Sequence, residues 1–373
     1  MNQNSDADSG LLASLRLCLV DGVGPRIRQA LLARFGTPQC VLSAPQNELV
    51  DVEGVGPKIA AAILAARHTR RAEDELARCR ALGIDLILRD DARYPEPLAR
   101  ICDAPGVLYC RGTLEPRDNL AVAIVGSRRC TVYGRQQAER LAGALARAGV
   151  TVVSGLARGI DAAAHRGALE AGGRTIAVMG TGLANIYPPE HGELAESVAR
   201  SGALLAEVPL ETAPLPGLFP QRNRIIAGLS VGVVVVEASR ASGALHTVRH
   251  SLEQGREVFA VPGRIDSLAS EGCHDIIRDG ATLVRHVDDI LQGLGPLAAP
   301  VLSGEQQVHT ARELLLDDQE RRILNLVPLD PVHVDEILRD AGIEPSRALA
   351  TLTVLEMRRL VRRLPGSQYC RTT

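Results

Sequence analysis

The chain has 373 residues, 46% of them hydrophobic, and a formal net charge of −2. Its length exceeds one average domain and predicts two or three. The near-neutral charge excludes a polycation, so any binding of nucleic acid must come from local basic clusters. Aromatic residues make up only 2% of the chain, with no Trp, so we expect cores of Leu, Val, Ile and Ala.

The eight cysteines are scattered and form no Cys-x-x-Cys pair. This spacing argues against a zinc module and a disulfide framework, and it favours a reducing compartment. The segment Met1 to Gly10 is polar and acidic, unlike a secretory signal. No apolar run has the length of a bilayer span. We therefore expect a cytoplasmic protein with no membrane span and no metal site.

Residues 1–68 are predicted to form short helices around a repeated turn. Gly22-Val23-Gly24-Pro25 recurs 32 residues later as Gly54-Val55-Gly56-Pro57, and each copy leads into an apolar periodic segment. The turns resemble helix-hairpin-helix elements, which offer backbone N–H groups to DNA phosphates. A purely structural helical bundle explains the repeat equally well, and the sequence leaves both interpretations open.

Residues 69–293 are predicted to form one α/β domain. A charged helix at 70–82 and strands at 85–88 and 107–110 come first, and Val-rich strands then alternate with amphipathic helices from residue 119 onward. This alternation predicts an extended Rossmann-like, doubly wound and mostly parallel sheet. The further predicted strands are 121–125, 151–153, 175–179, 203–206, 231–236 and 257–261.

Residues 294–312 are rich in Gly, Pro, Ala and Gln without periodicity, which predicts a linker. Residues 313–373 follow with three predicted helices and a terminal hairpin, the element order of a winged helix. The run from Met357 to Leu364 carries four arginines interleaved with apolar residues. In a winged helix it could touch nucleic acid, dock a protein or form a solvated strand edge.

Glycines and arginines cluster where the predicted parallel strands end, which is where such sheets bind ligands. These loops are Gly126-Ser127-Arg128-Arg129, Ser154 to Asp161, Gly180-Thr181-Gly182, and Phe219 to Arg224. Arginine forks match phosphate, and glycines let a ligand approach the backbone, although glycines also simply permit tight turns. We expect four guanidinium groups to converge on one rim, those of Arg128, Arg158, Arg222 and Arg224. The predicted DNA-binding residues are Gly126, Ser127, Arg128, Arg129, Gly155, Arg158, Phe219, Arg222, Asn223 and Arg224.

No loop is a Gly-x-Gly-x-x-Gly fingerprint or a Gly-x-x-x-x-Gly-Lys-Ser/Thr loop. A nicotinamide, a flavin or an ATPase site is therefore not indicated, and no cofactor is expected. Asp161 and His165 share a helix face, where we favour a helix-start cap and a packed histidine over a catalytic or metal pair. His246 and His250 have the spacing of zinc ligands but lack the intervening Glu of a zinc protease.

Taken together, the motifs resemble the DNA-processing protein A family, called DprA or Smf. The matching segments run in family order and are Val125–Arg128, Ser154–Asp161 with His165, Ile186–Pro188, Phe219–Ser230, Ser242-Gly243 and Gly255–Gly263. The resemblance implies a non-enzymatic mediator that binds single-stranded DNA, protects incoming strands and loads RecA during natural transformation. It implies DNA contact at Gly126, Ser127, Arg128, Phe219, Arg222, Asn223 and Arg224. The expected partners are single-stranded DNA, RecA, a second copy of the chain and a single-strand-binding protein.

The chain departs from the family pattern at two places. Leu183-Ala184-Asn185 stands where many relatives have an acidic residue, and Ala244-Leu245-His246-Thr247 stands where they usually read Ser-Leu-Ile-Thr. The alternative function is a nucleotide-processing enzyme of the lysine-decarboxylase-like Rossmann superfamily. Those enzymes share a Pro-Gly-Gly-x-Gly-Thr-x-x-Glu motif with a catalytic Glu, and the corresponding segment here, Glu237 to Gly243, lacks it.

Overall fold

A computed structural model describes residues 3–295, 318–328, 331–357, 360–364 and 366–371. The chain divides into two compact units, Met1–Ser303 and Gly304–Thr373. Within the described residues, no helix combines the length and apolar character that a bilayer span requires. Most of the predicted linker, from residue 296 to 312, lies outside the described residues. Its first residue, Leu294, still belongs to a helix.

The first unit begins with six helices built around the repeated turn. They are α1 (Gln3–Cys18), α2 (Pro25–Phe35), α3 (Pro38–Ser43), α4 (Gln46–Val50), α5 (Pro57–Ala66) and α6 (Arg71–Ala81). Gly22 and Gly54 adopt φ values of 91° and 83°, which favour glycine. A Cβ on Gly22 would lie 3.2 Å from Ile59, and one on Gly54 would lie 3.4 Å from Ile27. Each turn therefore packs against the helix that follows the other turn.

The helical segment also packs against the sheet of the same unit. Leu15 of α1 and Leu19, just after this helix, join a buried cluster with Leu76 of α6, and that cluster continues to Tyr109 and Met179 beside the sheet. Leu15 is fully buried. Burial of apolar side chains is the main stabilising term in folding, so the helices and the sheet support one another.

The sheet has nine strands in the order β1-β2-β6-β5-β4-β3-β7-β8-β9. Pairing is parallel except between β1 and β2 and between β2 and β6. The mostly parallel, doubly wound sheet predicted from the sequence is confirmed. The strands are β1 (Asp85–Leu88), β2 (Val107–Gly112), β3 (Ala121–Gly126), β4 (Thr151–Ser154), β5 (Thr175–Val178), β6 (Ala203–Ala206), β7 (Gly232–Val236), β8 (Glu257–Ala260) and β9 (Thr282–Leu283).

Eight helices cover the sheet, because strands buried on both faces need helices on both sides. They are α7 (Glu96–Ala99), α8 (Val132–Arg147), α9 (Ile160–Glu170), α10 (Gly192–Ser201), α11 (Leu218–Leu229), α12 (Ala244–Glu253), α13 (Glu271–Arg278) and α14 (Val287–Leu294). From β3 the chain builds the sheet outward through β4, β5 and β6, and it then crosses back to β7 on the other side of β3. The switch point therefore lies between β3 and β7, where open α/β sheets form a ligand crevice.

The second unit is a winged helix. Its described helices are α15 (Asp318–Asn325), α16 (Val334–Ala341) and α17 (Pro345–Met357), and its strands are β10 (Val332–His333), β11 (Val361–Leu364) and β12 (Gln368–Arg371). The strand order is β10-β12-β11, all antiparallel. The predicted hairpin is present. The third strand, β10, was not predicted, because two residues are too few to show a pattern in the sequence. Arg362 and Arg363 of the basic run are exposed on β11.

Candidate nucleic-acid interface

A groove of about 760 Å³ opens at the switch point, at the carboxyl ends of β3 and β7. Its walls come from the loop after β3, the loop after β7 and the first turns of α11 and α12. The first N–H groups of α12 are already bonded: Ala244 donates to the Ser242 hydroxyl at 3.3 Å, and Leu245 and His246 donate to the carbonyls of Ser242 and Gly243. The positive charge that the groove presents to an anionic ligand must therefore come from arginine side chains.

The loop after β3 supplies the exposed cations of the groove. Arg128 and Arg129 are both exposed and both line it. The loop is held from behind, because Ser127 donates its N–H to the Glu237 carbonyl at 2.7 Å. A Cβ on Gly126 would lie 1.9 Å from the Val236 carbonyl oxygen. The glycine at this position is thus required by close packing between two strand ends.

An alternating row of cations and aromatic rings extends along the groove mouth. The Arg128 guanidinium lies 5.4 Å from the centre of the Phe219 ring, and that ring lies 5.6 Å from the Tyr187 ring. The Arg158 guanidinium follows at 6.0 Å from Tyr187. Cations at these distances are attracted to an aromatic face. A Cβ on Gly180 would lie 2.7 Å from Phe219, so that glycine makes room for the ring.

Arg222 lines the groove but is anchored within the protein. The residue is 6% exposed, and its Nη1 donates to the carbonyl of Gly155 at 2.8 Å and to that of Val178. Burial lowers the pKa of this guanidinium to about 10, while Asp161 opposes the shift. A Cβ on Gly155 would lie 2.4 Å from the Arg222 Nη1. Gly155 therefore accommodates Arg222, and this arginine ties α11 to the ends of β4 and β5.

Arg224 does not reach the groove, so the expected convergence of four guanidinium groups on one rim is wrong for this residue. Its side chain is 8% exposed and forms ion pairs with Glu207 and, at 3.6 Å, with Asp103. The intervening Asn223 does line the groove and donates its amide to the Gly243 carbonyl at 3.3 Å. Successive helical residues point about 100° apart, so three neighbouring side chains anchor α11 in three directions.

Arg158 and Gly155 border a smaller pocket beside the main groove, together with Arg128, Tyr187 and Phe219. The Arg158 guanidinium is exposed and donates to Glu190 at 2.5 Å. An exposed ion pair of this kind contributes little free energy and is easily rearranged. The structure thus brings together Arg128, Arg129, Phe219, Arg222 and Asn223 in the main groove, with Arg158 at its edge.

His165 is packed in the interior, as the sequence favoured, but the helix-start cap expected of Asp161 is wrong, because α9 begins after Gly159 without a side-chain cap. The Asp161 carboxylate accepts the N–H groups of Gly155 at 3.1 Å and Ala157 at 3.4 Å, which fixes the loop that precedes α9. His165 is fully buried and bonds the Thr175 hydroxyl through Nδ1 at 2.7 Å. Because the hydroxyl donates its proton to the Val152 carbonyl, Nδ1 must be the protonated nitrogen. Burial lowers the pKa of His165 to about 3.

The histidine pair on α12 separates into two environments. His246 is exposed and lines the groove, whereas His250 lies 3.4 Å from Glu253 on the next turn. Across the described parts of the chain, no three His, Cys, Asp or Glu side chains are grouped as metal ligands. His246 is therefore a groove residue with no metal partner set around it.

Sequence reasoning assigned no role to three further groups of groove residues. Two sequence signals could have identified Tyr187: it belongs to the Ile-Tyr-Pro motif, and it is one of only five tyrosines. His246 was visible as a departure from the family pattern. Pro214 and Pro216 line the outer wall from the segment before α11, and nothing in their local sequence marks them as groove residues.

This fold and groove define a Rossmann-like protein that presents cations and aromatic rings to a ligand at its switch point. Three family profiles match the chain: a SAM-like helix-hairpin-helix tandem at 14–69, DNA recombination-mediator protein A at 85–295 and the DprA winged helix domain at 307–367. The chain belongs to the DNA recombination-mediator protein A family, whose members are named DprA or Smf.

Individual relatives agree with this assignment. Protein Smf of Synechocystis is 34% identical over 383 residues, covering 94% of this chain and 96% of that one. Protein Smf of Escherichia coli is 49% identical over 210 residues, which is 56% of each chain. The X-ray structure of DNA processing protein A from Streptococcus pneumoniae superimposes with a TM-score of 0.66 at 34% identity, covering 75% of this chain and 95% of that one.

Proposed function

We propose that this chain is a recombination mediator that binds single-stranded DNA in the switch-point groove and performs no catalysis. The observation that carries the proposal is the pairing of exposed Arg128 with the Phe219 ring at the groove mouth, 5.4 Å apart. Non-specific single-strand binding combines cations for the backbone with aromatic faces for unpaired bases. Relatives named DNA processing protein support DNA as the ligand.

The groove favours binding over catalysis. Asp161 is the one carboxylate among the described residues of its lining, and burial raises its pKa while two backbone N–H groups bond it. A general base needs a lone pair directed at the substrate, and this carboxylate is directed at its own loop. The nucleotide-processing alternative, whose enzymes use a catalytic Glu, therefore has no carboxylate base directed at a substrate among the described residues of this groove.

We propose natural transformation as the process and RecA as the protein that receives the DNA, on the strength of the family. A single-strand-binding protein is the further partner, because it would occupy the same DNA. A cytoplasmic location is consistent with the eight cysteines, all of which are free thiols.

We propose that two copies associate through the face formed by the start of α8 and the segment after β8. This face exposes Ile265 at 94%, Leu268 at 73% and Val132 at 66%. Tyr133 joins its two parts by donating its hydroxyl to the Pro262 carbonyl at 2.9 Å. Large exposed apolar side chains grouped on one face mark protein interfaces.

In sedimentation analysis, Ile265→Glu should give monomers. Leu252→Glu, at a 64% exposed leucine on α12, should leave the dimer intact, and a dimeric Ile265→Glu would contradict this interface.

Binding is tested with a fluorescent oligo-dT and its duplex across a salt series. Arg128→Ala should weaken oligo-dT binding and reduce the slope of log affinity against log salt by about 0.7, the value for one phosphate contact on a single strand. The matched control is Arg166→Ala, an exposed arginine on α9 outside the groove lining. Equal affinity and slope in wild type and Arg128→Ala would refute the assignment of DNA to the groove.

A further inference from the structure

A buried polar cluster lies on the side of α11 that faces away from the groove. Its members, which we call the Glu207 cluster, come from the helical segment, from the connector (residues 89–106, between β1 and β2), from the residue after β6 and from α11. They are Cys18, Arg28, Tyr94, Glu207 and Arg224. The proposed function assigns none of them a role in DNA contact.

Arg224 ties α11 to this cluster. It donates to the Glu207 carboxylate at 2.5 Å and lies 3.6 Å from Asp103 of the connector. Tyr94 is 7% exposed and donates its hydroxyl to the Pro105 carbonyl at 2.9 Å. Asp103 and Pro105 belong to one short segment, so Arg224 and Tyr94 are both held by it.

Arg28 brings the N-terminal helical segment into the same space. It lies on α2, is 9% exposed, and passes directly over Gly106, where a Cβ would be 2.3 Å from its Nε. It also lies beside Cys18. Burial raises the pKa of that thiol to about 11, Glu207 adds to the shift and Arg28 acts against it. Gly106 directly follows Pro105, so Arg28 packs on the same short segment that Tyr94 bonds and whose Asp103 pairs with Arg224.

The position of α11 matters because its opposite side forms the groove. Arg224 directly follows Arg222 and Asn223 on α11, and Phe219 lies just over one helical turn before Arg224. A change in how Arg224 is held would rotate or shift the helix and move the Phe219 ring relative to Arg128. Contacts that depend on such placement lose affinity with displacements of about 1 Å.

We infer that Arg28 is a positioning residue for the DNA groove: through the Glu207 cluster, the N-terminal helical segment sets α11 in its binding position. This inference rests on the proposed single-strand binding. It gives the helical segment a role that requires no direct contact between its turns and DNA. It also explains why an arginine is buried at the boundary between that segment and the sheet.

The test compares oligo-dT binding by the full chain and by Arg28→Met, which keeps the length of the side chain and removes its charge. The second variant, Gly106→Ala, displaces Arg28 from the other side of the contact and leaves its charge intact. Arg34→Met is the matched control, an exposed arginine on the same helix. Stacking on Phe219 is followed separately with an oligonucleotide that contains 2-aminopurine, whose fluorescence is quenched when it stacks.

We expect Arg28→Met and Gly106→Ala to weaken binding about tenfold, within the range of coupling energies between contacting groups. The salt slope should stay unchanged, the 2-aminopurine quenching should fall, and Arg28→Lys should recover most of the affinity. In a Phe219→Leu background, Arg28→Met should weaken oligo-dT binding little further, because its effect on binding depends on the placement of the Phe219 ring.

Wild-type affinity in folded Arg28→Met and Gly106→Ala would overturn the inference while leaving the proposed function intact. Full additivity with Phe219→Leu would also overturn it, since Arg28 would then act elsewhere. A reduced salt slope in Arg28→Met would point to direct phosphate contact and contradict a positioning role. Absence of oligo-dT binding by the unaltered chain would overturn the proposed function and this inference together.

Discussion

Replacing Arg224 with methionine should destabilise the fold without removing a DNA phosphate contact. Arg224 is 8% exposed, and it faces Glu207 at 25% and Asp103 at 21% side-chain exposure. The variant leaves these two carboxylates without their cation. Breaking a buried ion pair from one side costs 3–5 kcal/mol in known cases. Because both carboxylates keep some exposure, we expect the free energy of unfolding to fall by about 3 kcal/mol.

The pH dependence of this loss has a definite sign. Burial raises the pKa of Glu207 above its ordinary value, and Arg224 acts against that shift. Without Arg224 the folded-state pKa rises further, so the folded variant binds more protons than the unfolded chain in the window above pH 4.5. Its stability therefore falls as pH rises through that window. The deficit relative to wild type should be larger at pH 8 than at pH 5.

Urea unfolding followed by circular dichroism at both pH values measures the loss. Glu207→Gln added to Arg224→Met should recover part of the stability, because it removes the buried negative charge that lost its partner. In the oligo-dT salt series the slope for Arg224→Met should equal that of wild type, whereas Arg128→Ala lowers it. A stable Arg224→Met variant with a reduced salt slope would refute this reasoning and return Arg224 to the groove.

Two further variants test the packing behind the groove. Gly155→Ala should lower the free energy of unfolding by about 1–3 kcal/mol, because its Cβ would lie 2.4 Å from the anchored Arg222 guanidinium. Gly192→Ala, where a Cβ meets open space, should be neutral in the same urea unfolding measurement. Burial lowers the pKa of His165 in the folded chain to about 3, so below about pH 6.5 this histidine takes up a proton only in the unfolded chain. The free energy of unfolding is therefore about 1.4 kcal/mol lower at pH 5.5 than well above pH 6.5. In urea unfolding, His165→Gln should not show this loss of stability between neutral pH and pH 5.5. Equal acid sensitivity of wild type and His165→Gln would contradict the prediction.

The architecture followed from the sequence wherever the pattern was long and periodic. The strand predicted at 85–88 is β1 with the same bounds, and the predicted strand 121–125 extends by one residue in β3. Loops predicted at the ends of the parallel strands do meet at one edge and line one groove, and DNA binding there stays a prediction. Short elements escaped prediction: α7 has four residues and β10 has two, too few for any periodicity to register.

The direction of individual arginines could not be read from the chain. Arg222 and Arg224 differ from exposed Arg128 only in their tertiary neighbours, and Glu207 lies 17 residues from Arg224. The more useful signal was in the glycines. Gly155 and Gly180 were predicted to admit a ligand, yet each makes room for a side chain of α11. A glycine opposite a large residue in a buried loop is therefore as good an indicator of internal packing as of binding.

These contacts change the interpretation of the Arg-Asn-Arg segment itself. Arg222 bonds the carbonyls at the ends of β4 and β5, Asn223 bonds Gly243 at the start of α12, and Arg224 pairs with Glu207 after β6. Three consecutive side chains thus fix one helix to three parts of the sheet edge. Their polar groups are largely committed within the protein, so under the proposed function we expect Arg128 and Arg129 opposite them to capture phosphate. The segment holds Phe219 in place, and the loop after β3 supplies the charge.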